Sequence, residues 1–299
     1  MIRLGIVDFD SSHCVEFTKR LNHLGGAQDQ WVDGAKVVAG WPGESKLSPE
    51  RVPGFTEQMR KFGVELVGRP ADMVGKVDGV LIESVDGSVH WERARPFLEA
   101  GIPCFVDKPF ASSLADARRI VELAEKKKLP VFSSSSLRYA PEIASYVGDP
   151  AHGKVLGCLT YGPASLDPTD RNPGLFHYTI HAVEMLYALM GPGCDRVTCT
   201  HEKDADVVTG RWKDGRVATV RGNRAGGGSY GFTAFAEKGP RSVAVGTQFI
   251  YRELLKRVVE MFQTGKSPLD PAVTLEIVAF MEAANRSGAN HGAGESVKV

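Results

Sequence analysis

Lys108 follows the apolar run 104–106 after a single aspartate and is itself followed by Pro109. A lysine at the carboxyl end of a buried strand stands where open α/β sheets bind ligands. Its ammonium can polarise a substrate hydroxyl there, and its free amine can take the hydroxyl proton. His177 and His181 are four residues apart and Glu184 lies three further on, a spacing that aligns the three along one helical face. Imidazole titrates near neutrality, so His181 is the natural general acid or base, with His177 to orient it or to bind substrate. A third set, Asp8, Asp10 and His13 with Ser11 and Ser12 between them, stands directly behind the first apolar run. Aspartate and serine at such a place cap a helix by accepting backbone N–H bonds. Carboxylates together with imidazole are also ligands for zinc, manganese or iron.

The elements that must position these residues follow from the hydrophobic pattern. Short apolar runs at 3–7, 36–41, 64–67, 79–84, 104–106 and 131–133 read as strands. Helical spacing fills 15–24, 48–62, 91–100 and 114–127, with Ser48-Pro49-Glu50 as a helix start and Gly101 as a helix stop. Strands alternating with helices imply parallel pairing and right-handed crossovers, hence a doubly wound sheet with its ligand site at the strands' carboxyl ends. Past the four serines 133–136 the pattern changes. Strands at 154–161, 196–199, 207–212, 217–222, 230–237 and 241–246 have short turns between them, such as Lys213-Asp214-Gly215, and imply a large, mostly antiparallel sheet. Helices are expected at 176–190, 249–264 and 271–287, and a loop at 288–295.

Length and charge narrow the role. The 299 residues match two domains, or one large α/β domain with an appendage, and 36 Lys+Arg against 36 Asp+Glu give no net field to attract nucleic acid or an anionic membrane. Five cysteines without C-x-x-C spacing argue against a disulfide framework and a sulfur-rich zinc site, and fit a reducing compartment. With no signal peptide and no stretch near the ~20 apolar residues of a membrane span, the chain reads as soluble and cytoplasmic, with a small-molecule partner.

Asp107-Lys108-Pro109 after the fifth strand, the segment from His90 through its helix to Gly101, and the helix carrying His177, His181 and Glu184 to Gly191 together resemble the glucose-fructose oxidoreductase / inositol dehydrogenase / rhizopine-catabolism (Gfo/Idh/MocA) family. The resemblance spans nearly the whole chain. It implies a Rossmann-like dinucleotide-binding domain over 1–136 and an α/β substrate and oligomerisation domain over 137–299, whose last helix, 271–287, could pack back on the first. It implies an NAD(P)-dependent dehydrogenase of carbohydrate metabolism that moves hydride between nicotinamide and a hydroxyl carbon of a sugar, polyol or related metabolite. Lys108 matches the lysine of the family's Glu-Lys-Pro motif, beside nicotinamide and substrate, with Asp107 in place of the glutamate. His181 matches the histidine of the family's Asp-x-x-x-His element, the usual proton-transfer residue, with His177 in place of the aspartate. Arg138 and Tyr139 fall where the family places an Arg-aromatic pair near the substrate, and Asp170 and Arg171 could reach the same cavity. The coenzyme, NAD or NADP, would lie against Asp8, Asp10, Ser11, Ser12, His13, Ser84, His90, Asp107, Lys108 and Pro109. A homodimer or homotetramer would form through the second sheet, whose open face is expected to carry Trp212, Val217, Val220, Phe232 and Phe235.

The first turn departs from this pattern. A pyrophosphate needs glycines after strand one so that backbone can approach it, and Asp8, Asp10 and His13 hold the three glycine-equivalent positions. The acidic residue usual after strand two is absent, with Glu44 as a substitute, and the turn from Ser84 to His90 is one residue longer than usual. These departures support an alternative, a Rossmann-like enzyme without conventional dinucleotide binding. It would do metal-assisted or acid/base lyase, isomerase or hydrolase chemistry, with Asp8, Asp10, His13, Asp86, His90 and Asp107 gathered at the strand ends towards His177 and His181, and Asp8, Asp10, His13, His177 and His181 as its first ligand candidates.

Overall fold

The computed structural model describes all 299 residues. In chain order the elements are β1 (Ile2–Val7), α1 (His13–Leu21), β2 (Ala35–Trp41), α2 (Val52–Lys61), β3 (Glu65–Leu66), β4 (Gly79–Ile82), α3 (His90–Glu99), β5 (Cys104–Val106), α4 (Leu114–Lys127) and β6 (Val131–Phe132). Then follow α5 (Pro141–Gly148), β7 (Val155–Pro163), α6 (Ile180–Met190), β8 (Cys194–Glu202), β9 (Ala205–Trp212), β10 (Val217–Asn223), β11 (Tyr230–Ala236), β12 (Gly239–Val245), α7 (Ile250–Thr264), α8 (Pro271–Ala289) and β13 (Glu295–Ser296). They form two compact units, Met1–Ser134 with Tyr251–Pro271, and Ser135–Ile250 with Ala272–Val299.

The first unit is a six-stranded parallel sheet in the order β3-β2-β1-β4-β5-β6. Every residue of β4 and β5 is buried, so neither face of the sheet can be left in water and the crossover helices must cover both. α4 shows how sequence makes such a helix. Ser113 Oγ accepts the Asp116 N–H at 3.1 Å to cap it, and Leu114, Ala117, Ile120, Val121 and Ala124 form its buried stripe. Burying each Leu, Ile or Val of that stripe contributes roughly 1.5–3 kcal/mol. α7 is the late helix of this unit, and its Phe262 occupies the space over Gly79, where a Cβ would lie 2.3 Å from the ring. α8, the helix that sequence allowed to pack back, groups with the second unit.

The second unit is a seven-stranded sheet in the order β12-β11-β7-β10-β9-β8-β13, antiparallel except for the parallel pair β7–β10. The β9–β10 hairpin turns through Lys213-Asp214-Gly215, with Gly215 at φ +89. Alternation corrects the expected open face. Val217 and Val220 are three apart, as are Phe232 and Phe235, so each pair must split between the two faces of a strand. Val220, Phe232 and Trp212 are buried, while Val217 and Phe235 stand on the exposed face.

Other boundaries also shift. The turn at Pro49–Arg51 is 3-10 and precedes α2, and Ser48 makes no side-chain cap. α5 begins on Pro141, a helix-start signal that the strand-dominated reading passed over. α6 begins at Ile180, so His177 lies in the turn before it rather than on its face. The expected terminal loop instead ends in β13, which pairs with β8.

Candidate active site

β1 is flanked by β2 on one side and β4 on the other, so the strand order reverses at β1 and the exits of β1, β2 and β4 frame the crevice where doubly wound sheets bind ligands. Asp8 leaves β1 at φ +67, a left-handed backbone that a non-glycine residue rarely adopts. This turns its carboxylate back into the crevice. Oδ2 accepts the Arg93 Nε–H at 2.8 Å and the Ser84 hydroxyl, whereas Oδ1 is buried without a hydrogen-bond partner. The Arg93 guanidinium stacks over Trp41 at 4.8 Å. Gly43, at φ +70, makes room for this arrangement, because a Cβ there would lie 1.7 Å from Asp8 Oδ1. Asp10 bridges the same crevice, its Oδ2 accepting from Ser45 Oγ at 2.6 Å and its Oδ1 from the Val85 N–H at 3.1 Å. Burial pushes both carboxyls above their usual range, with Arg93 and Ser84 opposing at Asp8 and Ser45 and the Val85 amide at Asp10. The two acids are thus tied to a cation and to donors, not left as free charges facing a ligand. They line a cavity of about 260 Å³ with Glu44, Ser45, Lys46, Ser84, Asp86, Val89, Glu92 and Arg93.

Behind it lies a second cluster. His13, the first residue of α1, stacks on Phe17 at 4.8 Å and places Nδ1 2.6 Å from Asp107 Oδ2 and 3.7 Å from Glu83 Oε2. Glu83, fully buried at the end of β4, has no hydrogen-bond partner at either carboxylate oxygen. Burial pushes its carboxyl well up, reinforced by Asp107 and Asp10. Burial also pushes Asp107 upward, but His13 and Lys108 hold it below its usual value. Asp107 Oδ1 accepts the Lys108 N–H at 2.8 Å, and burial lowers the Lys108 ammonium pKa against the pull of Asp107. Sequence reasoning missed Glu83, since an acid ending an apolar strand shows no periodic signal. Of the ligands considered from sequence, His13 and Asp107 come together, and Glu83 joins them. The histidine and acids whose ligand atoms lie within 4.8 Å of one another are His13, Glu83 and Asp107, while Asp8 and Asp10 face Arg93, Ser45 and Val85.

The remaining expected coenzyme contacts have clear local roles. His90 is fully buried, with Nε2 2.9 Å from the Ser84 carbonyl and Nδ1 3.3 Å from the Phe110 carbonyl, so it joins the exits of β4 and β5. Ser11 Oγ accepts the His13 N–H at 3.2 Å at the start of α1, and Ser12 is exposed there. Pro109 is buried beside the half-buried Lys108.

In the second unit, His181 Nδ1 lies 2.7 Å from Ser135 Oγ, and the Ser135 N–H donates to Glu184 Oε1 at 3.3 Å. Glu184 Oε2 accepts the Arg138 Nε–H at 2.6 Å, both side chains being nearly buried. Arg138, which the resemblance places near the substrate, forms an internal ion pair, and the run of four serines supplies the partner of the histidine. Tyr139 and His177 are half-buried. Asp170 is exposed at φ +57, and the loop is organised by Asp167, whose carboxylate accepts the N–H groups of Thr169, Arg171 and Asn172. Burial raises the Asp167 carboxyl, but these donors hold it below its usual value.

The dinucleotide implied by the resemblance can be tested against these residues. Asp8 lines the cavity and keeps one carboxylate oxygen, the buried Oδ1, without a hydrogen-bond partner, and Lys46 and Arg93 supply cations for phosphate. The N-terminus of α1, where a pyrophosphate is received, begins at His13. Asp10 opposes the fit, because its bridge spans the crevice between Ser45 and Val85, and the lining carboxylates Glu44, Asp86 and Glu92 oppose phosphate by charge. The bridge and a dinucleotide compete, and the two donors it occupies suit phosphate or ribose oxygens. Replacing Asp10 with glycine should therefore tighten NAD binding about tenfold, or about 1.4 kcal/mol, in isothermal titration. Unchanged or weaker binding would show that Asp10 does not compete with the coenzyme.

Residues 44–135 match the family model described as an oxidoreductase family with an NAD-binding Rossmann fold. The chain is similar to the Salmonella typhimurium protein YceM, which carries an oxidoreductase name, at 30% identity over 172 residues covering 56% of this chain and 54% of that protein. It is similar to D-apiose dehydrogenase of Paraburkholderia graminis at 29% identity over 148 residues, covering 48% of this chain and 36% of the enzyme. The matched stretches thus span about half or less of those relatives. Its fold resembles that of the Lactobacillus casei myo-inositol dehydrogenase solved with NAD(H) and myo-inositol, with a TM-score of 0.78, 15% identity, and coverage of 100% of this chain and 97% of that one. No helix is long and apolar enough to cross a membrane.

Proposed function

We propose that the chain, whose residues 44–135 match the model of an oxidoreductase family with an NAD-binding Rossmann fold, is a Gfo/Idh/MocA oxidoreductase that oxidises or reduces a hydroxyl carbon of a sugar, polyol or related metabolite with NAD or NADP. The observation that carries this reading is Lys108 at the carboxyl end of β5, held by Asp107 and Pro109 in buried surroundings. When bound, the coenzyme supplies the hydride chemistry. Lys108 would then hold or take the hydroxyl proton of the substrate. His181, fixed at Nδ1 by Ser135, would be the second proton carrier. Asp8, Lys46 and Arg93 would hold the coenzyme's ribose and phosphates, and Tyr139, Asp170, Arg171 and His177 would meet substrate. In this reading residues 1–136 serve the coenzyme and 137–299 the substrate. The five cysteines, all free and buried, suit a cytoplasmic enzyme, and the exposed Val217 and Phe235 suit a homo-oligomer formed through the second sheet.

A thermal-shift series with NAD, NADP and their reduced forms tests the reading. A dinucleotide at 100 times its dissociation constant should contribute about 2.7 kcal/mol, a rise of several degrees in melting temperature. No shift with any of the four at millimolar concentration would overturn the dehydrogenase reading. That result would favour the alternative to which the Asp10 bridge points, an enzyme doing metal-assisted or acid/base lyase, isomerase or hydrolase chemistry without a conventional dinucleotide site.

A further inference from the structure

We propose that His13, Glu83 and Asp107 form a binding site for a divalent transition-metal ion of the zinc or manganese class. Glu83 is the residue that demands an explanation. Both its oxygens are buried and without a hydrogen-bond partner, and Oε2 points at His13 Nδ1 from 3.7 Å. A buried polar group in a native protein is almost always satisfied, and an anionic one without a partner is strongly disfavoured. Protonating Glu83 removes the charge but leaves its O–H without an acceptor. A cation between the three groups satisfies both needs at once. Two carboxylates, a neutral imidazole and a divalent ion sum to zero charge in a site that is largely buried.

The donor set fits the ion class. One nitrogen and two oxygens suit Zn²⁺ or Mn²⁺, and three protein ligands are the number found where zinc keeps a further position open. The three ligand atoms lie within 4.8 Å of one another. Ligands bound at about 2.0–2.2 Å around a tetrahedral ion are about 3.3 Å apart. The His13–Glu83 distance of 3.7 Å is near that spacing, whereas the His13–Asp107 distance of 2.6 Å must widen as the ion replaces the proton between them. The site is built from residues that depart from the family pattern. His13 stands at a glycine-equivalent position, and Asp107 is one carbon shorter than the glutamate it replaces.

Full-length protein produced in medium supplemented with zinc and manganese is analysed by inductively coupled plasma mass spectrometry, and its crystals by anomalous scattering. The expected result is about one metal per chain, with an anomalous peak in contact with His13 Nδ1, Glu83 and Asp107. Glu83→Gln and His13→Asn should each lower the bound metal at least tenfold. If a variant fails to fold, the anomalous map of the wild type decides. Wild-type protein with less than a tenth of an equivalent and no peak would overturn the proposal, as would metal content unchanged in both variants. The outcome is independent of whether a dinucleotide binds, so it can stand or fall separately from the dehydrogenase reading.

Discussion

Replacing Lys108 with alanine is expected to lower turnover about 10²- to 10⁴-fold, the range by which a positioned proton-transfer group accelerates a reaction. The measurement is dinucleotide reduction across a panel of sugars and polyols, read for wild type and variant on the best substrate. Folding should hardly change. The side chain is half-buried and its charged form is disfavoured by burial, so its loss removes a cost as well as a contact, and the melting temperature should move by no more than about 2 °C. That separation is the point of the experiment. A variant that melts like wild type and turns over like wild type removes Lys108 from the mechanism, and one that melts far lower reports a structural lysine.

Replacing Arg138 with alanine is expected to act in the opposite way, on stability before activity. Its guanidinium meets Glu184 at 2.6 Å with side-chain exposures of 9% and 5%, so truncation leaves a carboxylate buried and uncompensated. Removing one partner of such a pair costs about 3–5 kcal/mol, a fall of roughly 6–20 °C in melting temperature for a chain of this size. The damage should extend to His181, because Glu184 also accepts the Ser135 N–H and Ser135 Oγ holds the imidazole. Replacing both members together, Arg138→Met with Glu184→Leu, should recover much of the stability, since no buried charge is then left alone. Urea denaturation of the three variants measures this. A loss below about 1 kcal/mol in Arg138→Ala, accompanied by a raised KM, would return Arg138 to the substrate pocket where the family pattern puts it.

Both predictions start from residues visible in the sequence, and for Arg138 the structure adds a partner that sequence did not show. Lys108 was legible because its meaning is topological. An apolar run followed by Asp-Lys-Pro is local, and ligands of an open parallel sheet bind on the side of its strands' carboxyl ends. The ion pair of Arg138 was not legible because its partner, Glu184, is 46 residues away, and sequence shows no pairing over that distance. The same limit hid Glu83 just past β4, Ser135 in a run of four serines, and the partners of Asp8 and Asp10.

The sequence by itself determined the alternation of strands and helices, the change to an antiparallel sheet, and nearly every strand. These follow from hydrophobic period and turn chemistry, which act over a few residues. Tertiary structure alone decided where charge is neutralised. Arg93 is brought to Asp8 across 85 residues, Ser45 and the Val85 amide to Asp10, and His13 to Asp107 across 94. Such pairings depend on which strand ends become neighbours at a switch in sheet order. They carry little free energy in water and a great deal once buried, so they exist only after the core that buries them has formed.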